Sequence, residues 1–324
     1  MAAHTSPRHH IPRAKGESTM QETDNLSYYA AQSWVTDPGE SVDLFEGLPR
    51  EIEPLRWVCQ NIFVHKWVLK YNGKRAYGVD LSDFEAAGRT PADEYNQVKV
   101  SDTLQSLRDM DDTPLTSPRP PLSRVIGNCR HYAVMLTSTL RHQGVSARAR
   151  SGCAGYLEPR DPEFFVDHYV TEYWNEDDGR WILVDAQLDE GQMEAFGIEF
   201  DPCDVPRDEF VVAGEIWRRY RADEVDPDKY GIEGMVGPDY IKFKVVNDVA
   251  FLNKEEVLPW DGWGLGEKPL NQLDEHELDL LDTLASLSIM PSGEEFREIR
   301  RIYQQDDRVR KPAGYESVRW EMTR

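Results

Sequence analysis

The sequence GNCRHYAVMLTSTLRHQGVSARA, residues 127–149, predicts a helix that carries a cysteine, followed by a strand. Asn128 is a favoured N-cap residue, so we expect the helix to begin at Cys129. Apolar residues then recur at intervals of four, three and four, on the same helix face as the cysteine: Ala133, Leu136 and Leu140. Gly144 suits the position where helices commonly stop, and residues 145–149 continue as the strand.

Cys129 is predicted to lie in the first turn of this helix, beside backbone N–H groups that have no intrahelical partner. The helix macrodipole and these donors favour a thiolate over a thiol. The backbone N–H of Cys129 can also supply part of an oxyanion hole, although the sequence names no second donor. The cysteine is therefore a candidate nucleophile.

A β-hairpin is predicted downstream, with strands at residues 164–174 and 180–186. The residues between them, Asn175-Glu176-Asp177-Asp178-Gly179, have strong turn character. The tryptophans that flank the turn, Trp174 and Trp181, set the expected register when they face each other.

His168 and Asp185 share one face of the hairpin in this register. His168 then faces Gln187, and Asp185 is its diagonal neighbour, at a backbone separation of roughly 7–8 Å that lets a carboxylate reach an imidazole. Asp185 is thus expected to hold the tautomer and orientation of His168, whose other nitrogen faces Cys129. These three groups match the pattern of an activated thiol: a nucleophile, its base and a group that orients the base.

The same residues give the chain a resemblance to the transglutaminase-like superfamily, a branch of the papain-like cysteine enzymes. Three blocks in order carry it: Gly127-Asn128-Cys129 with its helix and strand, His168 with Glu172, and Trp181-Ile182-Leu183-Val184-Asp185-Ala186. Two positions differ from the commoner family pattern: Val170 replaces an aromatic residue, and Ala186-Gln187 replaces Pro-Thr. The three candidate catalytic positions are unaffected by these changes.

The resemblance implies an α+β protein with a papain-like, transglutaminase-type core, in which the cysteine helix packs on an antiparallel sheet. It also implies acyl transfer or hydrolysis at an amide or thioester carbonyl: Cys129 attacks, His168 moves the proton and Asp185 orients His168. A peptide, amide or thioester is the expected substrate, and no cofactor is needed. Two alternatives stay open, a carrier-protein-dependent amide synthase in a biosynthetic pathway and an inactive transglutaminase-like binding module.

A second aromatic stretch lies outside these blocks, in Pro259-Trp260-Asp261-Gly262-Trp263-Gly264. Paired tryptophans next to glycines suit either a wall of a substrate pocket or a packing corner. Trp260 and Trp263, together with Tyr169 beside the candidate base, are therefore candidate substrate-binding residues.

Composition narrows the classes of function. The 324 residues include 37 Lys and Arg against 59 Asp and Glu, and this net charge of -22 argues against binding to nucleic acid or to an anionic membrane surface. The four cysteines form neither a CxxC pair nor a zinc-ligand pattern with histidine, so we expect no metal site. No secretory signal and no membrane-spanning apolar run is recognisable, which predicts a cytoplasmic protein.

We expect three regions along the chain. Residues 1–24 are polar and are predicted to form a disordered tail. Residues 25–190 are expected to hold the core with its N-terminal helices, and residues 191–324 a mainly helical region packed on it. The oligomeric state is left open.

The first packed helix is predicted over residues 52–67, where apolar side chains recur at helical spacing. Cys59 and His65 lie within this range and are interpreted as packing residues. Further helices are expected in three places: residues 216–221, 273–289 and 294–303.

Overall fold

A mainly antiparallel sheet lies at the centre of the molecule, with helices packed against it. The computed structural model describes residues 25–158, 161–232 and 234–321, so the tail predicted over residues 1–24 lies outside the described residues. The strands are β1 Phe63–His65, β2 Val125–Gly127, β3 Ala147–Ala154, β4 Phe165–Asn175, β5 Arg180–Val184, β6 Phe210–Val212, β7 Tyr230–Ile232 and β8 Met235–Val236.

Helices surround these strands. They are α1 at residues 25–30, α2 Ile52–Ile62, α3 Lys66–Ala76, α4 Leu81–Ala86, α5 Pro91–Tyr95, α6 Val100–Met110, α7 Cys129–His142, α8 Glu190–Phe196, α9 Ala213–Arg221, α10 Pro238–Leu252, α11 Gly264–Glu267, α12 Glu275–Ser288 and α13 Gly293–Gln305. In the part of the chain that the structure describes, no helix combines the length and apolar character needed to cross a bilayer.

The sheet has the order β6-β3-β4-β7-β8, and β5 also pairs with β4. All of these pairs are antiparallel except β4 with β7. Trp174 faces Trp181 between β4 and β5, so the predicted hairpin register is confirmed. The turn ends at Gly179, whose φ of 61° is a backbone conformation that glycine adopts without strain.

Helix α7 packs on β3 and β4, which confirms the predicted fold class of a cysteine helix on an antiparallel sheet. Every residue from Cys129 to Arg141 is buried, because the helix is covered on all sides. The Thr171 hydroxyl donates to the Ala133 carbonyl across this interface at 2.8 Å. After the helix, Gly144 has a φ of 81°, as expected of the residue that ends it.

The prediction of one helix over residues 52–67 is wrong. Helix α2 ends at Ile62, and the next three residues form β1, which pairs in parallel with β2 before α3 begins. The pairing places His65 opposite Gly127, two residues before Cys129. Hydrogen bonding to a strand distant in sequence has therefore overridden the local helical periodicity.

The region after residue 190 contributes strands as well as helices. Strand β6 extends the sheet beside β3, and β7 pairs with β4, so the sheet crosses the boundary expected between residues 190 and 191. The predicted helices of this region correspond to α9, α12 and α13. Helix α10 was not predicted; it is buried on nearly every side, so its sequence lacks the polar stripe that reveals a surface helix.

Candidate active site

Cys129 is the first residue of α7, and its position is determined by the residues just before it. The Asn128 backbone N–H donates to Nδ1 of His131 at 3.2 Å, while the Asn128 carbonyl accepts from the His131 backbone N–H at 2.8 Å. A Cβ on Gly127 would lie 3.0 Å from Cβ of His131 and 3.1 Å from the Phe63 ring, so glycine lets β2 run close to the helix start. The side chain of Cys129 is largely covered, with 9% of the residue exposed.

His168 lies on β4 and Asp185 directly follows β5. Nε2 of His168 is 2.7 Å from Oδ2 of Asp185, and both residues are buried. The other carboxylate oxygen, Oδ1, accepts from the Gln187 backbone N–H at 2.9 Å. Because the Asp185 carboxylate occupies Nε2 of His168, Nδ1 is the nitrogen left to face Cys129, whose thiol contributes to raising the pKa of His168.

A glycine on β3 lets the neighbouring strands approach closely beside the His168–Asp185 pair. Gly152 on β3 faces His168 in the sheet register and Val212 on β6 on its other side. A Cβ on Gly152 would lie 2.2 Å from the Val211 carbonyl oxygen, so no other residue permits the three strands to approach this closely.

The electrostatics of the pair favour a charged imidazolium next to a carboxylate. Burial lowers the pKa of His168, but the charge and hydrogen bond of Asp185 outweigh burial and the net shift is upward. Burial likewise raises the pKa of Asp185, and His168 with the other donors brings it below its ordinary value. The low dielectric of the interior strengthens this mutual stabilisation.

Tyr156 is a part of the site that the sequence did not reveal. Its hydroxyl donates to Oδ2 of Asp185 at 2.7 Å, and its ring meets that of His168 edge to face at 6.0 Å. Burial and the charge of Asp185 hold the pKa of Tyr156 well above its ordinary value, so the phenol keeps its proton and remains a donor. Tyr156 follows β3 in a turn, where no periodicity marks a functional residue.

His65 is the second residue that the sequence interpretation missed. It is buried at the end of β1, and its ring centroid lies 6.3 Å from that of Tyr132, one turn along α7 from Cys129. The signal available was the continuous apolar run Ile62-Phe63-Val64, which departs from helical spacing and suits a buried strand.

His131 lies on α7 but takes no part in this arrangement. Its Nδ1 accepts from the Asn128 backbone, and Nε2 lies 3.0 Å from the Gln97 carbonyl oxygen, so both nitrogens have backbone partners. The side chain therefore stabilises the start of the helix.

The aromatic residues considered for substrate binding are occupied in packing. Tyr169 is buried and donates to Asn247 at 2.9 Å, and Trp263 is buried and donates to the Val309 carbonyl at 2.8 Å. Trp260 is half-buried, stacks on Tyr95 at 5.2 Å between ring centroids and donates to the Val318 carbonyl at 2.6 Å. In these contacts the three rings pack within the fold, and substrate binding by them stays a prediction.

Glu172 belongs to a separate buried ion cluster on the same strands. Its carboxylate accepts from Arg148 at 2.7 Å, from Arg150 at 2.9 Å and from Arg207 at 2.6 Å, and Arg150 also pairs with Asp248 of α10 at 2.8 Å. We call these five residues the Glu172 cluster. Arg180, on the neighbouring strand, pairs with Asp204 and not with Glu172.

The remaining cysteines differ from Cys129 in their surroundings. Burial raises the pKa of Cys59 to about 12, and burial with the charge of Asp167 raises that of Cys153 further. Cys203 is half-buried, and burial raises its pKa as well. Cys129 is the cysteine whose thiol helps to raise the pKa of His168.

Parts of the chain are similar to known proteins. Residues 91–186, which include Cys129, His168 and Asp185, match the family model described as the transglutaminase-like superfamily, and this match confirms the family resemblance. A solved structure from Cytophaga hutchinsonii, provisionally named a cysteine protease, is 14% identical with a TM-score of 0.28. The alignment covers 58% of this chain and 45% of that one. No curated protein sequence matches the chain.

Proposed function

We propose that this chain, through its transglutaminase-like domain, is a cysteine enzyme that forms an acyl-enzyme on Cys129 and passes the acyl group to water or an amine. The observation that carries the proposal is the buried His168–Asp185 pair, joined at 2.7 Å, together with the nearby thiol of Cys129, which helps to raise the pKa of His168. A buried carboxylate beside an imidazole beside a thiol at a helix start is the arrangement that generates a reactive thiolate.

Acylation begins with the proton on His168 and the negative charge on Cys129. Sγ forms a bond to the carbonyl carbon, and the π electron pair of the carbonyl moves to its oxygen. The tetrahedral intermediate collapses with cleavage of the C–N or C–S bond, and His168 gives its proton to the leaving amine or thiol. Asp185 and its donor Tyr156 hold the imidazole in one orientation throughout.

Deacylation reverses the roles. Neutral His168 takes a proton from water or from an acceptor amine, which attacks the thioester carbonyl of the acyl-enzyme. Collapse of the second intermediate releases an acid or an amide and returns the thiolate to Cys129 with the proton on His168. The same groups thus serve hydrolysis and transfer, and access of the acceptor decides between them.

The test is intact-mass analysis of the purified full-length protein after incubation with a panel of peptides, carboxamides and thioesters. We expect an acyl adduct on wild-type protein that Cys129→Ala lacks, and the adduct mass names the donor class. Cys203→Ala is the matched control, because it removes a half-buried thiol that contacts no imidazole, and it should form the adduct normally.

Two other outcomes carry distinct conclusions. Equal labelling of wild type and Cys129→Ala removes Cys129 as the nucleophile. If iodoacetamide near neutral pH does not modify Cys129 in preference to Cys203, the chain is an inactive binding module.

Once an adduct has been found, the rates at which the acyl group is released distinguish transfer from hydrolysis. Faster release to a primary amine than to water indicates an amide synthase acting on a carrier-bound thioester, and the reverse indicates a hydrolase.

A further inference from the structure

His65 occupies an unusual position for a histidine without an assigned role. Strand β1 ends at His65, directly beside Gly127 of β2, and the chain of β2 continues through Asn128 into the first turn of α7. The His65 ring lies 6.3 Å from that of Tyr132, which is three residues from Cys129 and on the same side of the helix. The pairing of β1 with β2 therefore brings this imidazole to the amino end of the catalytic helix.

Neither ring nitrogen of His65 has a hydrogen-bond partner among the described residues, although only 7% of the residue is exposed. Burying an unpaired polar group costs free energy, and such groups are rare in folded proteins. His131, at the same helix start, is buried but has partners on both nitrogens. Packing alone does not explain why an imidazole, rather than an apolar ring, stands at position 65.

His65 shares its surroundings with the candidate catalytic pair. Burial, and to a smaller extent the charge of nearby His168, lowers the pKa of His65 to about 3, while the charge of Asp185 opposes the shift. The ring is therefore neutral at physiological pH, and with so low a pKa it is too weak a base to serve as a second one. A neutral imidazole carries one N–H that can donate, and this N–H has no acceptor within the described residues.

We propose that the N–H of His65 is the second donor of the oxyanion hole, acting together with the backbone N–H of Cys129. This inference rests on the proposed function. During attack the π electron pair of the carbonyl moves to oxygen, and the two N–H groups donate to that oxygen without transferring a proton. The unpartnered state of His65 in the absence of substrate is then its working state, because its acceptor arises only during the reaction.

The variants that test this assignment change the hydrogen-bond donor at position 65 and keep a side chain of similar volume. His65→Phe keeps a ring of similar size and removes both nitrogens, whereas His65→Asn and His65→Gln each return an amide NH2 donor, near the former positions of Nδ1 and Nε2 respectively. Phenyl thioacetate serves as the acyl donor and iodoacetamide as the control reagent. Alkylation by iodoacetamide occurs at a saturated carbon and forms no oxyanion, so it reports on the nucleophile alone.

For His65→Phe we expect Cys129-dependent kcat/KM for phenyl thioacetate to fall by about 10²–10³-fold, as for removal of one oxyanion donor. The rate of Cys129 alkylation should stay within about twofold of wild type. One of the two amide variants should recover at least tenfold of the lost activity. Melting temperature should not fall in His65→Phe, since two unpaired buried nitrogens are removed.

Three results overturn the assignment. An equal fall in thioester turnover and alkylation shows that His65 acts by positioning Cys129, and unchanged turnover in His65→Phe shows that it has no role in the reaction. If His65→Phe does not fold, an equal fall in thioester turnover and alkylation in both amide variants excludes donation by His65 in the same way. Absence of Cys129-dependent turnover in wild-type protein defeats the proposed function itself and is distinguishable from all of these.

Discussion

Two buried polar regions lie on strand β4, four residues apart, and they differ in how completely their groups are paired. In the Glu172 cluster, the central carboxylate accepts from three arginines, and Arg150 in turn bonds both Asp248 oxygens. At the candidate active site, the Asp185 carboxylate is fully bonded, but both nitrogens of His65 lack partners among the described residues. Complete pairing is expected of a cluster that stabilises the fold, whereas polar groups without a protein partner are expected where a ligand binds.

The Glu172 cluster joins parts of the chain that are far apart in sequence. Arg148 also donates to the Pro291 carbonyl at 3.2 Å and lies over the Trp181 ring at 4.0 Å, and Arg150 donates to the Ser288 carbonyl at 2.5 Å. The cluster thus fastens the sheet to the segment around α12 and α13. The pKa of Glu172 lies well below its ordinary value because the arginine charges outweigh burial. Substitutions in either region therefore test whether the Glu172 cluster stabilises the fold and the candidate active site carries out the reaction.

Asp185→Asn should have the largest effect. An amide cannot stabilise the imidazolium, and burial alone would then lower the pKa of His168. We expect kcat/KM for a thioester to fall by about 10⁴-fold. The rate of Cys129 alkylation at pH 7 should also fall, because thiolate formation loses its imidazolium partner. An unchanged alkylation rate would show that Asp185 does not act through His168.

Glu172→Gln should destabilise the fold by about 3–5 kcal/mol, since it leaves arginines buried without their counter-charge. The measurement is urea unfolding, with Asp204→Asn as the control. Asp204 pairs with Arg180 at the surface, where loss of a pair costs about 0–1 kcal/mol. Folded Glu172→Gln protein should alkylate Cys129 at the wild-type rate. Lost alkylation without lost stability would instead make Glu172 a brace for the active site.

His65→Phe should make the protein less sensitive to acid. The pKa of His65 is about 3 in the folded state against 6.5 for the free side chain, so the unfolded chain binds the proton and folding is disfavoured as pH falls below 6.5. Removing His65 should therefore raise stability relative to wild type by about 2 kcal/mol at pH 5 and by little at pH 7. Urea midpoints at the two pH values measure this. A constant difference would mean that His65 is protonated in the folded protein.

Tyr156→Phe should have the smallest effect on catalysis. Asp185 would lose one of its donors but keep the Gln187 backbone N–H and His168, so we expect about a tenfold fall in kcat/KM for a thioester. The pKa of Asp185 should rise, and the acid limb of the pH–rate profile should move to higher pH. A fall as large as that of Asp185→Asn would indicate that Tyr156 contacts the reacting atoms.

Local sequence patterns determined much of the candidate site. Helix α7 was predicted from the N-cap residue, the apolar spacing after Cys129 and the glycine that ends the helix. The register that brings Asp185 to His168 was predicted from the turn residues and the tryptophans that flank them. These features depend on neighbours close in the chain, where dihedral preferences and strand pairing across a short turn act directly. The three candidate catalytic residues could therefore be named without a structure.

Contacts between distant segments decided the rest. The pairing of β1 with β2 converted the end of a predicted helix into a strand and brought His65 to the start of α7. Tyr156 reached Asp185, and α10 became buried, through packing that no local periodicity encodes. The sequence by itself determined the candidate nucleophile, base and carboxylate, because each follows from short-range rules. Only the tertiary structure decided which further groups surround them, because backbone pairing and burial among remote segments override local preference.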